Sequence, residues 1–571
     1  MKRVLWLLTA VCILSGLCAC GADGKGQTQA LAPPSAASYA AEPSPEAAAV
    51  ASMAKTDSAV FLKDTTYLDL ADAAGLAPYY EAAAQRKAAI LGAPTSIVRS
   101  DTFVRGETYT GTAYYISPTG NDEHDGLSPE TAWRDPVRCT WGEVQPGDAV
   151  FFERGGVYRL AEASLRLGQD VTYSAYGEGP KPVFTIAAEN SARSECWELW
   201  HEGAGGAKIW KYYKPTHDVG GIVFNDESYA RRVLEWPTPN GWLAVDVLPM
   251  DPVNGIVARE DPCTNIQVAS AGEYRTVEES LTEDMTYISR VDISGLTYPF
   301  EASQAGAGEL YLRCDKGNPG ECFADIEVIF QNENDTSVLD GWHADGYVLD
   351  NLSVKYYLDN AVNGNLMRRD AVIQNCTVEW GGNRLFSIES EEPTNDYCLI
   401  GDGIYGVAAN ATIRNNYMRH CGNACTFESS MELLEDMGTY TVEGNLMENC
   451  GQGIRVSLIN EGEKNRFDAV LLRDNIILDS GNGMNNACLE EPVAIDLGVD
   501  FVQYAGSIEV CDNVLIGSTL AIVKAPHPDA VKTNIHNNTI AQSENGALLT
   551  MGYSPSGDGI SWYTMSMVKT N

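Results

Sequence analysis

Short apolar segments closed by asparagine recur along the second half of the chain. Each copy reads apolar residue, any residue, then Asn, Asp or Gly, then Asn, any residue and a second apolar residue. Clear copies lie at 413–418, 442–447, 472–477, 510–515 and 535–540, and weaker copies begin at Asn351 and Asn375. With the residue before the second Asn as marker, the spacings are 24 to 40 residues. A phrase that returns at such periods predicts a solenoid with one coil per repeat.

The coils are predicted to be β-strands, because the apolar runs are short, rich in β-branched residues and closed by Gly or Asn. In stacked coils the second Asn of each phrase would lie about 4.8 Å from its counterpart in the next coil. Its amide could then bond both that Asn and the neighbouring backbone, so a buried polar side chain would be satisfied. The repeat therefore predicts an all-β chain folded as a parallel β-helix.

A second column follows each bend. Cys421, Cys450 and Ser480 occupy one position of three consecutive coils, and Asn423, Gln452 and Asn482 lie two residues later. Cys421 and Cys450 would be close enough for a disulfide, or they would fill a core column as two thiols.

A helix is predicted before the solenoid. Residues Pro78–Leu91 are rich in Ala, with Pro at the start and Gly92 as the stop. Such a helix within 58–110 would cover the open end of the solenoid, whose free strand edge invites aggregation.

Three blocks follow at 113–133, 145–156 and 171–183: AYYISPTGNDEHDGLSPETAW, QPGDAVFFERGG and VTYSAYGEGPKPV. In this order, and with the asparagine phrases after them, they resemble the N-terminal segment of secreted bacterial right-handed parallel β-helix proteins of the pectate-lyase-like superfamily. The resemblance covers roughly residues 111–550. It implies work on extracellular polysaccharides, since characterised relatives are mostly lyases, glycosidases and epimerases. One such scaffold hosts several chemistries, so the reaction stays open.

The first 57 residues are predicted to be a targeting signal followed by a flexible tether. Lys2 and Arg3 precede an apolar stretch that is too short to span a membrane. The phrase Leu17–Gly21 resembles a bacterial lipobox with Cys20 as the lipidated residue, and simple secretion is the alternative. We therefore expect a lipoprotein signal peptide over 1–20, a flexible Ala/Pro/Ser tether over 21–57 and the β-helix domain over 111–571. Within that domain, 196–330 lacks the repeat and is predicted to be loop-rich or an inserted β segment.

The net charge of the chain limits the classes of molecule that it can bind. The formal net charge is −39 and the sequence pI is about 4.4, which excludes nucleic acid and anionic lipid headgroups by repulsion. The same charge disfavours polyuronates unless Ca²⁺ bridges them. We expect a monomer on the extracytoplasmic face of the bacterial membrane, held there by its lipid alone.

Candidate chemistry concentrates in the longest coil, between markers 375 and 415. The extra residues that make this coil longer than its neighbours are aromatic and acidic. Loops that project from a rigid solenoid usually form the walls of a glycan-binding groove. Aromatic rings stack on sugars and cations bind acidic groups, so four residues are predicted to contact substrate: Trp380, Arg384, Tyr405 and His343. For His343 the competing interpretation is a hydrogen-bonded surface residue.

Asp402 is the predicted acid or base, with Glu389 or Glu428 as its partner, because glycoside hydrolysis uses two carboxyl groups. The alternative is that Asp402 is a turn residue bonding backbone amides. In the resembling proteins an Asn in a Tyr-Gly-Asn-Gly phrase often stands where Gly401–Gly403 stands here, which weakens a family role for Asp402.

Two acidic loops are candidate Ca²⁺ sites. The turn at 121–126 has oxygen ligands but lacks the spacing of an EF-hand, and capping of backbone amides is its simpler role. A Ca²⁺ in the 389–402 loop would supply positive charge for a lyase.

Together these features predict a surface lipoprotein that binds and cleaves an extracellular polysaccharide, with glycoside hydrolysis ahead of lyase chemistry. The alternative is a non-catalytic glycan-binding or adhesive rod.

Overall fold

A computed structural model gives the architecture of the chain. It describes residues 62–566 apart from several internal positions and segments, which are 162, 248–267, 302–303, 331–336, 343, 383–386, 389–400, 430–437, 459–466, 482, 485–492, 498–506, 519–522, 527–531, 544–546 and 554–560. The predictions for residues 1–61, including Cys20 and the tether, lie outside this part. None of the described helices is long and apolar enough to cross a membrane.

The predicted parallel β-helix is confirmed. Each coil passes through three sheets, here called A, B and C, and each sheet contains ten strands. Sheet A contains Ala113–Ile116, Ala149–Glu153, Thr172–Tyr176, Val348–Asp350, Val372–Gln374, Thr412–Arg414, Gly438–Glu443, Phe467–Arg473, Ser507–Cys511 and Lys532–His536. Sheet B contains Val157–Arg159, Val183–Thr185, Ser353–Tyr357, Thr377–Gly381, Tyr417–Arg419, Leu446–Glu448, Ile476–Leu478, Val514–Ile516, Thr539–Gln542 and Thr66–Asp69. Sheet C contains Leu165–Arg166, Leu339–Asp340, Asn360–Arg369, Asp402–Ala409, Asn423–Ser429, Gln452–Leu458, Ile495–Asp496, Val523–Pro526, Ala547–Tyr553 and Ser561–Ser566. Its last pair is antiparallel.

The repeated phrase forms the bend from sheet A to sheet B. All seven marker residues have a positive φ: Asn351, Asn375, Asn415, Gly444, Asp474, Asp512 and Asn537. Asn, Asp and Gly are the residues that adopt this left-handed conformation at least cost, which explains the composition of the column.

The residue after each marker forms the asparagine ladder, which comprises Asn416, Asn445, Asn475, Asn513 and Asn538. Every member is at most 1% exposed. Each amide donates to a backbone carbonyl of the preceding coil, and the first four also donate to the Oδ1 of the next Asn at 3.0–3.1 Å. The predicted column and its hydrogen bonds are confirmed.

Inside the three sheets lies one continuous apolar core that extends from Ile116 in the first coil to Leu548 in the last. Cys421 and Cys450 lie within it as buried free thiols, and the pKa of Cys421 is raised by burial and by its contact with Cys450. They fill a core column in the way that Ser480 does.

The N-terminal helix differs from its prediction in length and position. It comprises Ala73–Leu91, with Asp72 as N-cap and Pro78 inside it. Its buried residues Leu76, Ala83 and Ile90 pack on the outer face of sheet B, along several coils. The expectation that this α-helix covers the open end of the solenoid is wrong. The strand before it, Thr66–Asp69, pairs with Thr539–Gln542 in sheet B, so the α-helix begins beside the C-terminal coils.

The predicted insertion is a β domain with its own core, between the second strand of sheet B and the second strand of sheet C. Its five-stranded sheet contains Trp197–Glu202, Lys208–Tyr212, Gly306–Arg313, Thr286–Asp292 and Arg231–Arg232. Two three-stranded sheets contain Ser228–Tyr229, Val219–Phe224 and Ile326–Phe330, and Glu235–Thr238, Gly241–Val247 and Val268–Tyr274. A strand of the insertion, Phe300–Glu301, pairs with Ser387–Ile388 from the longest coil.

Several short elements complete the fold. Val98–Arg99 pairs with Thr108–Tyr109 before the first coil. The remaining single turns of helix are Pro129–Thr131, Pro136–Thr140, Ser194–Cys196, Ala204–Gly206, Val277–Ser280 and Pro319–Cys322.

Candidate functional site

Sheet C presents a row of polar side chains on its outer face. In six coils the paired positions are Asp340, Asn363, Tyr405, Thr426, Arg455 and Asp496. The residue before each of them belongs to the solenoid core. Because successive side chains of a strand point to opposite faces, the six polar residues point away from the core. We call these six residues the sheet C row.

The row is shielded from solvent, and we call the shielded strip of sheet C that contains it the recess. Although its residues face outward, Thr426 is 1% and Asp496 is 7% exposed, and the other four are partly buried. The Oγ1 atom of Thr426 is buried and has no hydrogen-bond partner in the described part of the chain. A buried hydroxyl without a partner costs free energy, and a ligand hydroxyl that reached it would remove that cost.

The inserted domain contacts the outer face of sheet B through Asp226. It packs on the corner between sheets B and C, where Gly382 lies against the backbone of Gly220 and Met484 lies against Gly221. A Cβ on Gly221 would come within 2.5 Å of the Met484 methyl group, so a larger residue there would displace Met484.

A network of charges fastens the inserted domain to the solenoid. Lys355 Nζ lies 2.6 Å from Oδ2 of Asp226 and 3.0 Å from Oε1 of Glu379. Arg419 Nη2 lies 2.7 Å from Oε2 of Glu379. Burial alone would raise the pKa of Asp226, but Lys355 and the other donors outweigh it and lower that pKa. A second contact joins Arg159 to Glu327 in bidentate geometry, at 2.9 and 2.7 Å.

Trp380, predicted to stack on a sugar, lies inside this interface. Its side chain is fully buried, and its indole N–H donates to Oδ1 of Asp226 at 2.5 Å. The ring stacks on His420 with centroids 4.3 Å apart, and Arg419 lies 4.7 Å from the ring centroid. Because the inserted domain covers the ring, Trp380 presents no face to a ligand here, and its role is to hold that domain.

Asp402 lies in a second polar ladder at the corner between sheets B and C. The paired positions are Asn360, Asp402, Asn423 and Gln452, all at most 7% exposed. The backbone N–H of Asn423 donates to Oδ1 of Asp402 at 3.3 Å. This is the contact expected of a structural turn residue, so the catalytic role of Asp402 stays a prediction.

The remaining predicted residues have different positions. Tyr405 belongs to the sheet C row. Glu428 is two residues after Thr426 on the same strand and pairs with Ser457. Glu389, Arg384 and His343 lie outside the described residues.

The acidic turn at 121–126 uses its carboxylates for its own backbone. Oδ1 of Asp122 accepts the N–H groups of Arg134 and Asp135, each at 2.8 Å. Oδ1 of Asp125 accepts the hydroxyl of Thr131 at 2.7 Å, which lowers the pKa of that carboxyl group. These contacts match the capping role.

Asn363, Thr426 and Asp496 were not predicted as site residues, yet the sequence contains the pattern that locates them. Each row residue lies three residues after a residue at the corner between sheets B and C. Asn363 comes three residues after Asn360, Tyr405 after Asp402 and Thr426 after Asn423. The pattern was hidden because the corner residues change among Asn, Asp, Gln, Ser and Val.

Comparison with known proteins gives a partial family match. The family model described as "Protein of unknown function (DUF1565)" matches residues 373–519, a segment that lies within the solenoid. Among curated proteins, none matches this chain.

Several solved structures align with much of this chain. GH136 lacto-N-biosidase from Eubacterium ramulus is 10% identical, with 76% of this chain and 67% of that chain covered and a TM-score of 0.33. A structure named glycoside hydrolase is 10% identical over 76% of this chain and 96% of its own, with a TM-score of 0.37. A rhamnogalacturonan lyase is 9% identical, with 80% and 79% covered and a TM-score of 0.36.

Proposed function

We propose that this protein binds an extended polysaccharide along the sheet C row and hydrolyses it. The observation that carries the proposal is the row itself, in which six consecutive coils each present one hydrogen-bonding side chain in a recess. Adjacent row residues repeat at the strand spacing of about 4.8 Å. A linear ligand with repeating hydroxyl groups can use such a periodic surface along its whole length.

The row contains the chemistry that glycan binding needs. Asn363 and Thr426 can exchange hydrogen bonds with sugar hydroxyls, and the ring of Tyr405 offers an apolar face. Arg455 is the one cation among the six, the paired positions on the two flanking strands are Arg166 and Lys524, and the whole chain is strongly acidic. A neutral or weakly charged glycan is therefore favoured over a polyuronate, whose repeated carboxylates would need repeated cations.

Hydrolysis is favoured over elimination for the same reason. A lyase must neutralise the uronate carboxylate before its base removes the α proton. Hydrolysis instead requires two carboxyl groups about 5 to 9.5 Å apart. Asp496 belongs to the row, and Glu428 lies two strands away and two residues past the row position, which puts their Cα atoms about 12 Å apart. From that separation Asp and Glu side chains can bring their carboxyl groups within about 9.5 Å of each other. We assign this pair as the acid and the base or nucleophile.

Lipidation of Cys20 is the proposed means of attachment to the membrane, and it rests on the lipobox-like phrase alone. Cys20→Ala is expected to release the protein into the detergent-poor phase of a partitioning experiment, whereas Cys18→Ala leaves it membrane-bound. Equal partitioning of the Cys20→Ala protein and the wild type would contradict the proposal.

The activity is tested with the form lacking residues 1–56 and a panel of neutral and uronate glycans. New reducing ends without a product that absorbs in the ultraviolet are expected, and Asp496→Asn should abolish them. Asp468→Asn, an exposed position on sheet A, is the matched control. An unsaturated product would show a lyase. Binding without any product would show the non-catalytic rod.

A further inference from the structure

A cluster of three different metal-binding groups lies on sheet A, far along the solenoid. Glu509 and Cys511 alternate along the strand Ser507–Cys511 and therefore point to the same face. His536 lies directly opposite Cys511 on the neighbouring strand. One ligand atom of each residue lies within 4.8 Å of the other two, and Nε2 of His536 is 3.1 Å from Oε1 of Glu509.

The surroundings of the cluster suit a cation. Arg473, the neighbour of Cys511 on the other side, is held by Glu443 at 2.7 and 2.8 Å, so its charge is compensated. Asp512, the next residue in the chain, adds a further carboxylate beside Cys511. Cys511 is only 6% exposed although it belongs to the outward-facing positions of the strand. A partly shielded site with one thiol, one imidazole and neighbouring carboxylates results.

We propose that Glu509, Cys511 and His536 bind one Zn²⁺ ion. Zinc accepts sulfur, nitrogen and oxygen ligands together in a tetrahedral shell, at about 2.3 Å for sulfur and about 2.0–2.2 Å for nitrogen and oxygen. Such a shell requires ligand atoms some 3 to 4 Å apart, which small side-chain rotations provide here. On binding, the Cys511 thiol releases its proton to solvent and its sulfur bonds the metal. Asp512 or water completes the shell.

The ion would join the last two strands of sheet A. His536 also pairs through its backbone with Lys63, which precedes the strand that closes sheet B. The metal would therefore fasten the terminal coil at the place where the N-terminal segment joins the solenoid. The site is on a different sheet from the proposed glycan recess, so its role is structural and independent of the glycan proposal.

Cobalt titration of the full-length, chelator-treated protein tests the site. Wild type should bind one Co²⁺ and show the ultraviolet thiolate-to-cobalt charge-transfer band, and one equivalent of Zn²⁺ should displace the cobalt. Cys511→Ser should lose the band, whereas Cys322→Ser, which alters an exposed cysteine of the inserted domain, should retain it. Absence of the band in wild type, or its persistence in Cys511→Ser, would overturn the proposal.

A second measurement covers the case in which Cys511→Ser folds poorly. Zn²⁺ should raise the Tm of wild type in a concentration-dependent manner, because it binds the folded state. His536→Gln and Glu509→Gln should each weaken Zn²⁺ binding about tenfold or more. An unchanged Zn²⁺ affinity in both variants would assign the metal elsewhere and contradict the site.

Discussion

The side-chain amide of Asn445 donates to Oδ1 of Asn475 at 3.0 Å, and the backbone N–H of Asn445 donates to the same oxygen at 3.2 Å. One amide oxygen of Asn475 thus accepts two hydrogen bonds from Asn445 in the preceding coil. The Nδ2 of Asn475 in turn donates to Val442 and to Asn513. Each ladder residue therefore satisfies its own polar atoms and those of its neighbours inside an apolar core.

Replacing Asn475 by Leu should lower the free energy of unfolding by about 1 to 3 kcal/mol, because buried donors of the adjacent coil lose their acceptor. Asn534→Leu makes the same substitution at an exposed position of a sheet A strand, and it should change stability little. Chemical denaturation of both variants measures the difference. Equal effects would show that the ladder adds nothing beyond ordinary strand contacts.

Trp380→Ala should destabilise the protein by about 3 to 5 kcal/mol, because it removes a fully buried indole and its hydrogen bond to Asp226. Trp141→Ala, at a side chain that is 63% exposed, is the matched control. Thermal unfolding measures both variants. A stable Trp380→Ala protein with weakened glycan binding would restore the sugar-stacking role.

The interface between the inserted domain and the solenoid should make the free energy of unfolding depend on pH in the acidic range. Because the folded-state pKa of Asp226 is lowered, its contribution is fully present above the ordinary carboxyl pKa of about 4. That contribution is lost as the pH falls through the lowered pKa. The denaturation midpoint of wild type should therefore fall more steeply than that of Asp226→Asn between about pH 5 and about pH 3. Parallel pH profiles would contradict this role of Asp226.

Asp402→Asn should fold with unchanged or slightly higher stability, because an amide fits a ladder whose other members are Asn360, Asn423 and Gln452. If Asp402 is a structural residue, cleavage of the glycan should persist. Reducing-end assays of the variant measure this. Complete loss of cleavage in a folded Asp402→Asn protein would return the catalytic role to Asp402.

The solenoid could be predicted because its determinants are local and repeated. The asparagine phrase encodes a bend and a satisfied buried amide in every coil, and both follow from the chemistry of the residues themselves. The positive φ of the marker residues explains in addition why Asn, Asp and Gly alternate there. The inserted domain was visible as an interruption of the repeat.

The helix was harder to predict because its position depends on a distant pairing. Asp72 accepts the N–H of Gly75 at 3.0 Å and begins the helix five residues before Pro78. The strand before it joins Thr539–Gln542, a contact that no local pattern encodes.

The candidate site was only partly predictable. Trp380 is buried by a domain inserted far from it in sequence, so its exposure could not be inferred from its loop. Tyr405 could be predicted from its chemistry, but its alignment with Arg455 in one row requires the strand register of sheet C.

The most direct test of the central claim compares two arginines on consecutive strands. Arg455 belongs to the sheet C row, whereas Arg473 lies on sheet A. Calorimetric binding should be measured with the form lacking residues 1–56 and a glycan that the panel identifies. Arg455→Ala should weaken binding by about 1.5 to 3 kcal/mol, as expected for lost hydrogen bonds to a charged group, and Arg473→Ala should leave it unchanged. Unchanged affinity in a folded Arg455→Ala protein would contradict binding along sheet C.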